Sequence, residues 1–123
     1  MKKLIVFFVM CIIAAVCAPS WAGEHAYTSG EKTADAAIMT TSGAFYGIVV
    51  MPDGTNDVTV SVYDNASAAA GTELVPTLTF AGDGGAQWFA PPYPIHCFNG
   101  IYVDVTVGGG GSVGYSVMMG PGR

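Results

Sequence analysis

Asp57-Val58-Thr59-Val60-Ser61-Val62-Tyr63 and Ile101-Tyr102-Val103-Asp104-Val105-Thr106-Val107 decide the fold. In each stretch every second residue is a branched apolar side chain, and the residues between are polar or aromatic. Period two sends the two sets to opposite sides of an extended chain. Branching at Cβ suits that pleated, half-buried surface. Both stretches therefore read as strands. Val58, Val60 and Val62 turn inward in the first, and Ile101, Val103, Val105 and Val107 in the second.

Upstream, residues 36–51 turn apolar on both faces, with Phe45, Tyr46, Ile48, Val49, Val50 and Met51. That is the pattern of a central strand covered on both sides, weakened by Gly47. Pro52-Asp53-Gly54-Thr55-Asn56 is turn chemistry, so residues 44–51 and 57–63 are expected to form a hairpin. Downstream, Leu74, Pro76, Leu78 and Phe80 share one face of a further strand. Pro76 lacks a backbone donor, which places that strand at an edge or a bulge. Gln87–Phe89 and Ile95–Phe98 are short strands. Between them Pro91-Pro92-Tyr93-Pro94 must run extended, with Tyr93–Pro94 a candidate cis bond. Asn99-Gly100 signals a two-residue hairpin. Ser112–Met119 closes the set with Val113, Tyr115, Val117 and Met119 on one face.

About seven short antiparallel strands, with turns roughly every ten residues, predict one small all-β domain. A β-sandwich of jelly-roll or immunoglobulin-like kind fits best, with a small barrel as the alternative. Two sheets would bury their valine faces against each other.

The N-terminus reads differently. Met1-Lys2-Lys3 is basic, Leu4–Val16 is unbroken apolar sequence, and Ser20 and Ala22 are small residues before a cut. That order predicts a secretory signal peptide over residues 1–22, removed after Ala22. The apolar run falls short of the about 20 residues that a membrane span needs, so an uncleaved anchor is the weaker reading. Val16 before Cys17 and Met10 before Cys11 make poor lipoprotein sites. Residues 23–35 then read as a loose polar arm or edge segment, and residues 36–123 as the sandwich. The expected address is outside the inner membrane, periplasmic or extracellular, with no membrane span after cleavage.

Beyond Ala22 only Lys32 and Arg123 oppose nine acidic residues. Phosphate backbones repel such a chain, which argues against nucleic acid as a partner. Cys97 is the one cysteine left, either a buried small hydrophobe or half of an intermolecular disulfide.

Groups for catalysis are few. His96 and Cys97 are neighbours, but on a strand they point to opposite faces, and no Gly-x-Ser-x-Gly elbow accompanies His96. No two carboxylates share a cleft-like element. The expectation is no catalytic residue, no cofactor and no enzyme. Three binding sites are candidates. Gly23-Glu24-His25, if it begins the mature chain, offers an amine, two amide nitrogens and an imidazole in the square plane that Cu²⁺ or Ni²⁺ favours. Asp53, Asn56 and Asp57 offer oxygens to Ca²⁺, although a turn in which side chains bond their own backbone explains them equally. Trp88, Tyr93 and Tyr102 are candidate stacking platforms for a glycan, against the plainer reading of aromatic packing. Asn65-Ala66-Ser67 fits the glycosylation acceptor pattern, which matters only in a host that uses it.

Gly47-Ile48-Val49-Val50, then Asp53-Gly54-Thr55-Asn56, then Tyr63-Asp64-Asn65-Ala66-Ser67-Ala68 and Gly71-Thr72, resembles small β-sandwich modules of tailed-phage virion proteins. Pro92-Tyr93-Pro94 and Phe98-Asn99-Gly100-Ile101-Tyr102-Val103-Asp104-Val105 are similar to the second half of that pattern. The likeness spans about residues 44–119 and lies in turns and strand patterns, which specify fold rather than activity. It implies a non-catalytic structural or decorating module, often in multiple copies, and brings no catalytic residues. A signal peptide departs from that setting and fits a cellular protein using the same sandwich. Together the readings favour an exported structural or interaction module that self-associates or binds a protein partner, its arm able to add a strand to a neighbour. The alternative is a ligand-binding sandwich for a glycan or metal ion.

Overall fold

Strands with one apolar face must bury it, and two such sheets do so by packing face to face. A computed structural model describes residues 26–121 of the chain. The expected signal peptide lies outside the described residues. The strands are β1 (Tyr27–Thr28), β2 (Ala36–Met39), β3 (Gly43–Pro52), β4 (Val58–Tyr63), β5 (Glu73–Phe80), β6 (Gln87–Phe89), β7 (Ile95–Cys97), β8 (Ile101–Val107) and β9 (Val113–Pro121). Sheet A has the order β1-β9-β3-β6, with β7 also on β3, and sheet B has the order β2-β8-β4-β5. Every pairing is antiparallel. The protein is a small all-β sandwich. Its described strands number nine rather than about seven. The additions are β1, a two-residue edge segment in the polar arm, and β2, which splits from the expected apolar stretch 36–51 and joins sheet B while β3 lies in sheet A.

The valine faces meet as expected. Phe45, Ile48, Val50, Val113, Tyr115 and Val117 from sheet A pack against Val58, Val60, Val62, Ile101 and Val103 from sheet B. Each such side chain contributes about 1.5–3 kcal/mol by leaving water. Cys97 joins this core as a buried free thiol.

Neither expected hairpin forms. β3 lies in sheet A and β4 in sheet B, so residues 53–57 cross between layers. Both edges of β3 are taken, one by β9 and the other by β6 and β7. Asn99-Gly100 likewise links β7 in sheet A to β8 in sheet B. There the Asp64 carboxylate accepts the N–H groups of Phe98, Asn99 and Gly100, which stand in for the hairpin ladder. β4 and β5 are the described strands that follow one another in sequence and also pair.

β5 is an edge strand with a bulge, where Val60 faces Leu78 but Val62 faces Val75. The bulge shifts the phase of the strand, so Val75 is buried and Pro76 exposed, not the expected run of one face from Leu74 to Phe80. Pro76 thus sits where a missing donor costs least. The expected arm lies against its own sheet. Tyr27 and Thr28 pair with Met119 and Met118, and Lys32 bridges to Tyr115. All described peptide bonds are trans, Tyr93–Pro94 among them.

β6 and β7 share one edge of β3, opposite Ile48–Val50 and Gly43–Phe45 respectively. The Pro91–Pro94 segment loops out between them. Gly47 faces this break with φ of +156°, and a Cβ there would lie 2.6 Å from the Phe89 carbonyl oxygen.

Candidate functional site

Antiparallel partners lie on the same side of a sheet. Val49 pairs with Trp88 on one side and Ser116 on the other, so the three form a row across β6, β3 and β9. Ile48 and Val50, on either side of Val49, are fully buried, so this row points away from the core. Met51, paired with Gly114, extends the same face. Val49 is 37 % exposed, Met51 56 % and Trp88 72 %. The double apolar pattern of residues 44–51 suggested a strand covered on both sides. Among the described residues no layer lies over the outer side, because a two-layer sandwich covers each sheet once.

Beside this row lies a groove of about 220 Å³, lined by Glu31, Val49, Met51, Gly114, Tyr115 and Ser116. The bridge between Lys32 and Tyr115 brings Glu31 to its rim. Gly114 keeps the floor low, since a Cβ there would sit 2.8 Å from Glu31 Oε1. Met118 and Tyr46 fill comparable spaces over Gly47 and Gly120 on the same face. No strand of sheet A contains an Asp, Glu, Lys or Arg. The outer face of sheet B is different in kind. Thr59 lines up with Thr79 and Thr106, Ser61 with Asp104, and Tyr63 with Tyr102.

The candidate aromatics therefore separate. Trp88 stands on the outer face of sheet A, Tyr93 is 79 % exposed in the loop between β6 and β7, and Tyr102 lies on sheet B. Phe98 is exposed too, and its ring meets that of His96 edge-on at 4.6 Å.

Asp53 and Asn56 do come together. Asp53 accepts the N–H groups of Thr55, Asn56 and Ser112 and the Asn56 side-chain amide, at 2.8–3.1 Å. The Asn56 N–H leads this set in holding the carboxyl well below the usual range. Asp57 turns elsewhere and accepts the Gly82 N–H at 2.8 Å. Gly23, Glu24 and His25 lie outside the described residues. No group of three or more His, Cys, Asp or Glu is placed to hold a metal ion among the described residues. His96 is exposed while Cys97 is buried, and burial pushes the Cys97 thiol up. Among the described residues no helix is long and apolar enough to cross a membrane.

Sequence reading singled out Trp88 on this face but not Val49, Met51, Ser116 or Glu31. The signal was the missing alternation in residues 44–51, which suits a strand under a second layer and one with an open apolar face alike.

Neither family models, curated proteins nor solved structures gave a match to this chain.

Proposed function

We propose that the protein is an exported, non-catalytic interaction module that self-associates at the cell envelope or surface. The observation that carries this reading is the open row Trp88–Val49–Ser116 with Met51 beside it, on a sheet whose strands bear no formal charge. Exposed apolar groups in a contiguous row mark contact surfaces more often than single ones do. Export is supported by the basic start, the apolar run Leu4–Val16 and the small residues Ser20 and Ala22. The likeness of residues 44–119 to virion sandwich modules, which occur in multiple copies, points the same way. In-cell cross-linking followed by fractionation tests the reading. Cross-linked multimers of this chain outside the cytoplasm are expected, and a chain retained in the cytoplasm sinks it.

A second reading is favoured by the Trp88 ring and the stiff loop that carries Tyr93, both largely exposed. They suit a glycan-binding sandwich in the periplasm or outside the cell. Binding on a glycan array that is lost in Trp88→Ala would select it.

A further inference from the structure

We infer that two copies of the chain pack through the outer faces of their A sheets, around a twofold axis. The inference rests on the self-association proposed above and names the surface and the occupant.

Charge is the first argument. Beyond Ala22 the sequence holds nine acidic residues against Lys32 and Arg123, so two copies repel at most relative orientations. Sheet B offers Asp104 on its outer face, with Asp35 near enough to raise its carboxyl further after burial has done so. The loops at either end offer Asp53, Asp57, Asp64 and Asp83. A cationic partner would seek those carboxylates. The strands of sheet A have nothing to attract it, and only Glu31 stands at the rim. This is the face on which a second acidic copy meets no opposing row of carboxylates. A twofold contact brings the same patch to itself, so strands without charge meet their own like, with the Glu31 carboxylate over Gly114 as the one acid lining the groove.

The sheet edges supply the second argument. Strand-to-strand addition needs a long regular edge. β1 has two residues, β2 pairs with a register shift, and β5 carries Pro76 and a bulge. On the remaining edge β6 and β7 are three residues each, separated by the prolines of residues 91–94. The described part of the arm lies along β9 of its own chain. Edge pairing is blocked all round, and the face is open.

The face is sized for a small interface. Only β3 and β9 are long, so at about 4.8 Å between strands and about 3.3 Å per residue the strand residues of sheet A cover roughly 430 Å². That projected area is about half of the about 800 Å² of accessible surface per partner in a standard interface, and the relief of the exposed Trp88 and Met51 side chains adds to it. Trp and Met are the residue types that interface centres favour, and the groove between Met51 and Glu31 offers a recess for a projecting side chain.

Light scattering after size exclusion, over a wide concentration range, tests this on protein purified from a secreting host. Trp88 is the one tryptophan left once Trp21 is removed, so its emission reports the contact directly. The wild-type mass is expected to rise to two copies, with Trp88 emission moving to the blue. Val49→Glu is expected to raise the dissociation constant at least about thirtyfold, as loss of a central contact does. Thr79→Glu on sheet B leaves it unchanged, and circular dichroism confirms that both variants fold. A dimer that survives Val49→Glu overturns the assigned face while self-association stands. A protein that stays monomeric throughout overturns both, and a monomer whose Trp88 emission shifts only with added oligosaccharide replaces the partner copy by a glycan.

Discussion

Asp64 reaches across 35 positions of sequence to accept the backbone N–H of Asn99 at 2.7 Å. Both of its carboxylate oxygens also take the Phe98 N–H at 3.0 Å. The loop after β4 in sheet B is thereby tied to the crossover that leaves β7 in sheet A. Burial pushes the Asp64 carboxyl up, but the N–H groups of Phe98, Asn99 and Gly100 outweigh it and hold the group below its ordinary 3.8.

Asp64→Ala is expected to cost about 1 kcal/mol, a value kept low because the site is partly solvated. The amides of residues 98–100 are expected to exchange faster, and hydrogen exchange measures this. The sign with pH follows from linkage. A depressed carboxyl contributes stability above its unfolded value of 3.8, and that stability fades as pH falls through the lower folded value. Wild type should therefore lose its advantage over Asp64→Ala in acid. An unchanged gap in melting temperature at pH 7 and pH 2 would contradict the assignment.

Layer architecture was legible in the sequence because one-sided burial imposes period two, which Val58–Val62 and Ile101–Val107 keep without a break. Pro76 at an edge bulge was legible for an equally local reason, the missing donor. Connectivity was not. A turn such as Asp53–Asn56 looks the same whether it joins two strands of one sheet or crosses to the other. The choice is made by β9 on one edge of β3 and by β6 and β7 on the other, all of them distant in sequence. The open face was half legible. Val49 and Met51 announced apolar surface on the second side of β3, but only the finished sandwich shows that nothing described lies over it.

Tyr115 pins the chain ahead of β2 to sheet A. Its backbone N–H and C=O both bond Lys32 at 2.8 Å, and its hydroxyl donates to the Ala34 carbonyl at 2.6 Å. Burial first, then Asp35 and Tyr102, push its phenol up from 10.0 to about 12. The unfolded chain gives up this proton first, so stability is full below pH 10 and declines as pH rises toward 12. Tyr115→Phe is expected to remove up to about 2 kcal/mol of that alkaline loss. At pH 7 it should instead cost about 1 kcal/mol, the worth of one buried hydroxyl bond. Melting curves across pH 7–12 read both effects.

Gly47 combines a positive φ of +156° with a Cβ position 2.6 Å from the Phe89 carbonyl oxygen. Neither backbone can retreat without opening the β3–β6 ladder. Gly47→Ala is expected to destabilise by about 2–4 kcal/mol through strain and overlap together. Gly85→Ala makes the comparison, since its φ of +67° is strained but nothing lies within 4 Å. Its cost should stay near 1 kcal/mol. Equal losses in urea denaturation would show that the contact with Phe89 is not what requires glycine.

Ile48 and Val49 are neighbours in β3 with opposite surroundings, one fully buried and the other 37 % exposed. Ile48→Ala removes fully buried side-chain carbons from the core and leaves a cavity. A loss of about 2–5 kcal/mol is expected. Val49→Ala empties no enclosed space, and at concentrations where the chain is a single copy its effect should stay within about 0.5 kcal/mol. At higher concentration the order of sensitivity reverses for association. Ile48→Ala leaves the outer face intact and weakens assembly only through the fold, whereas Val49→Ala weakens assembly without weakening the fold. Denaturation and light scattering on the same two variants separate the inner role of β3 from its outer one. A Val49→Ala loss as large as that of Ile48→Ala would mean that the outer side of sheet A is covered within the single chain.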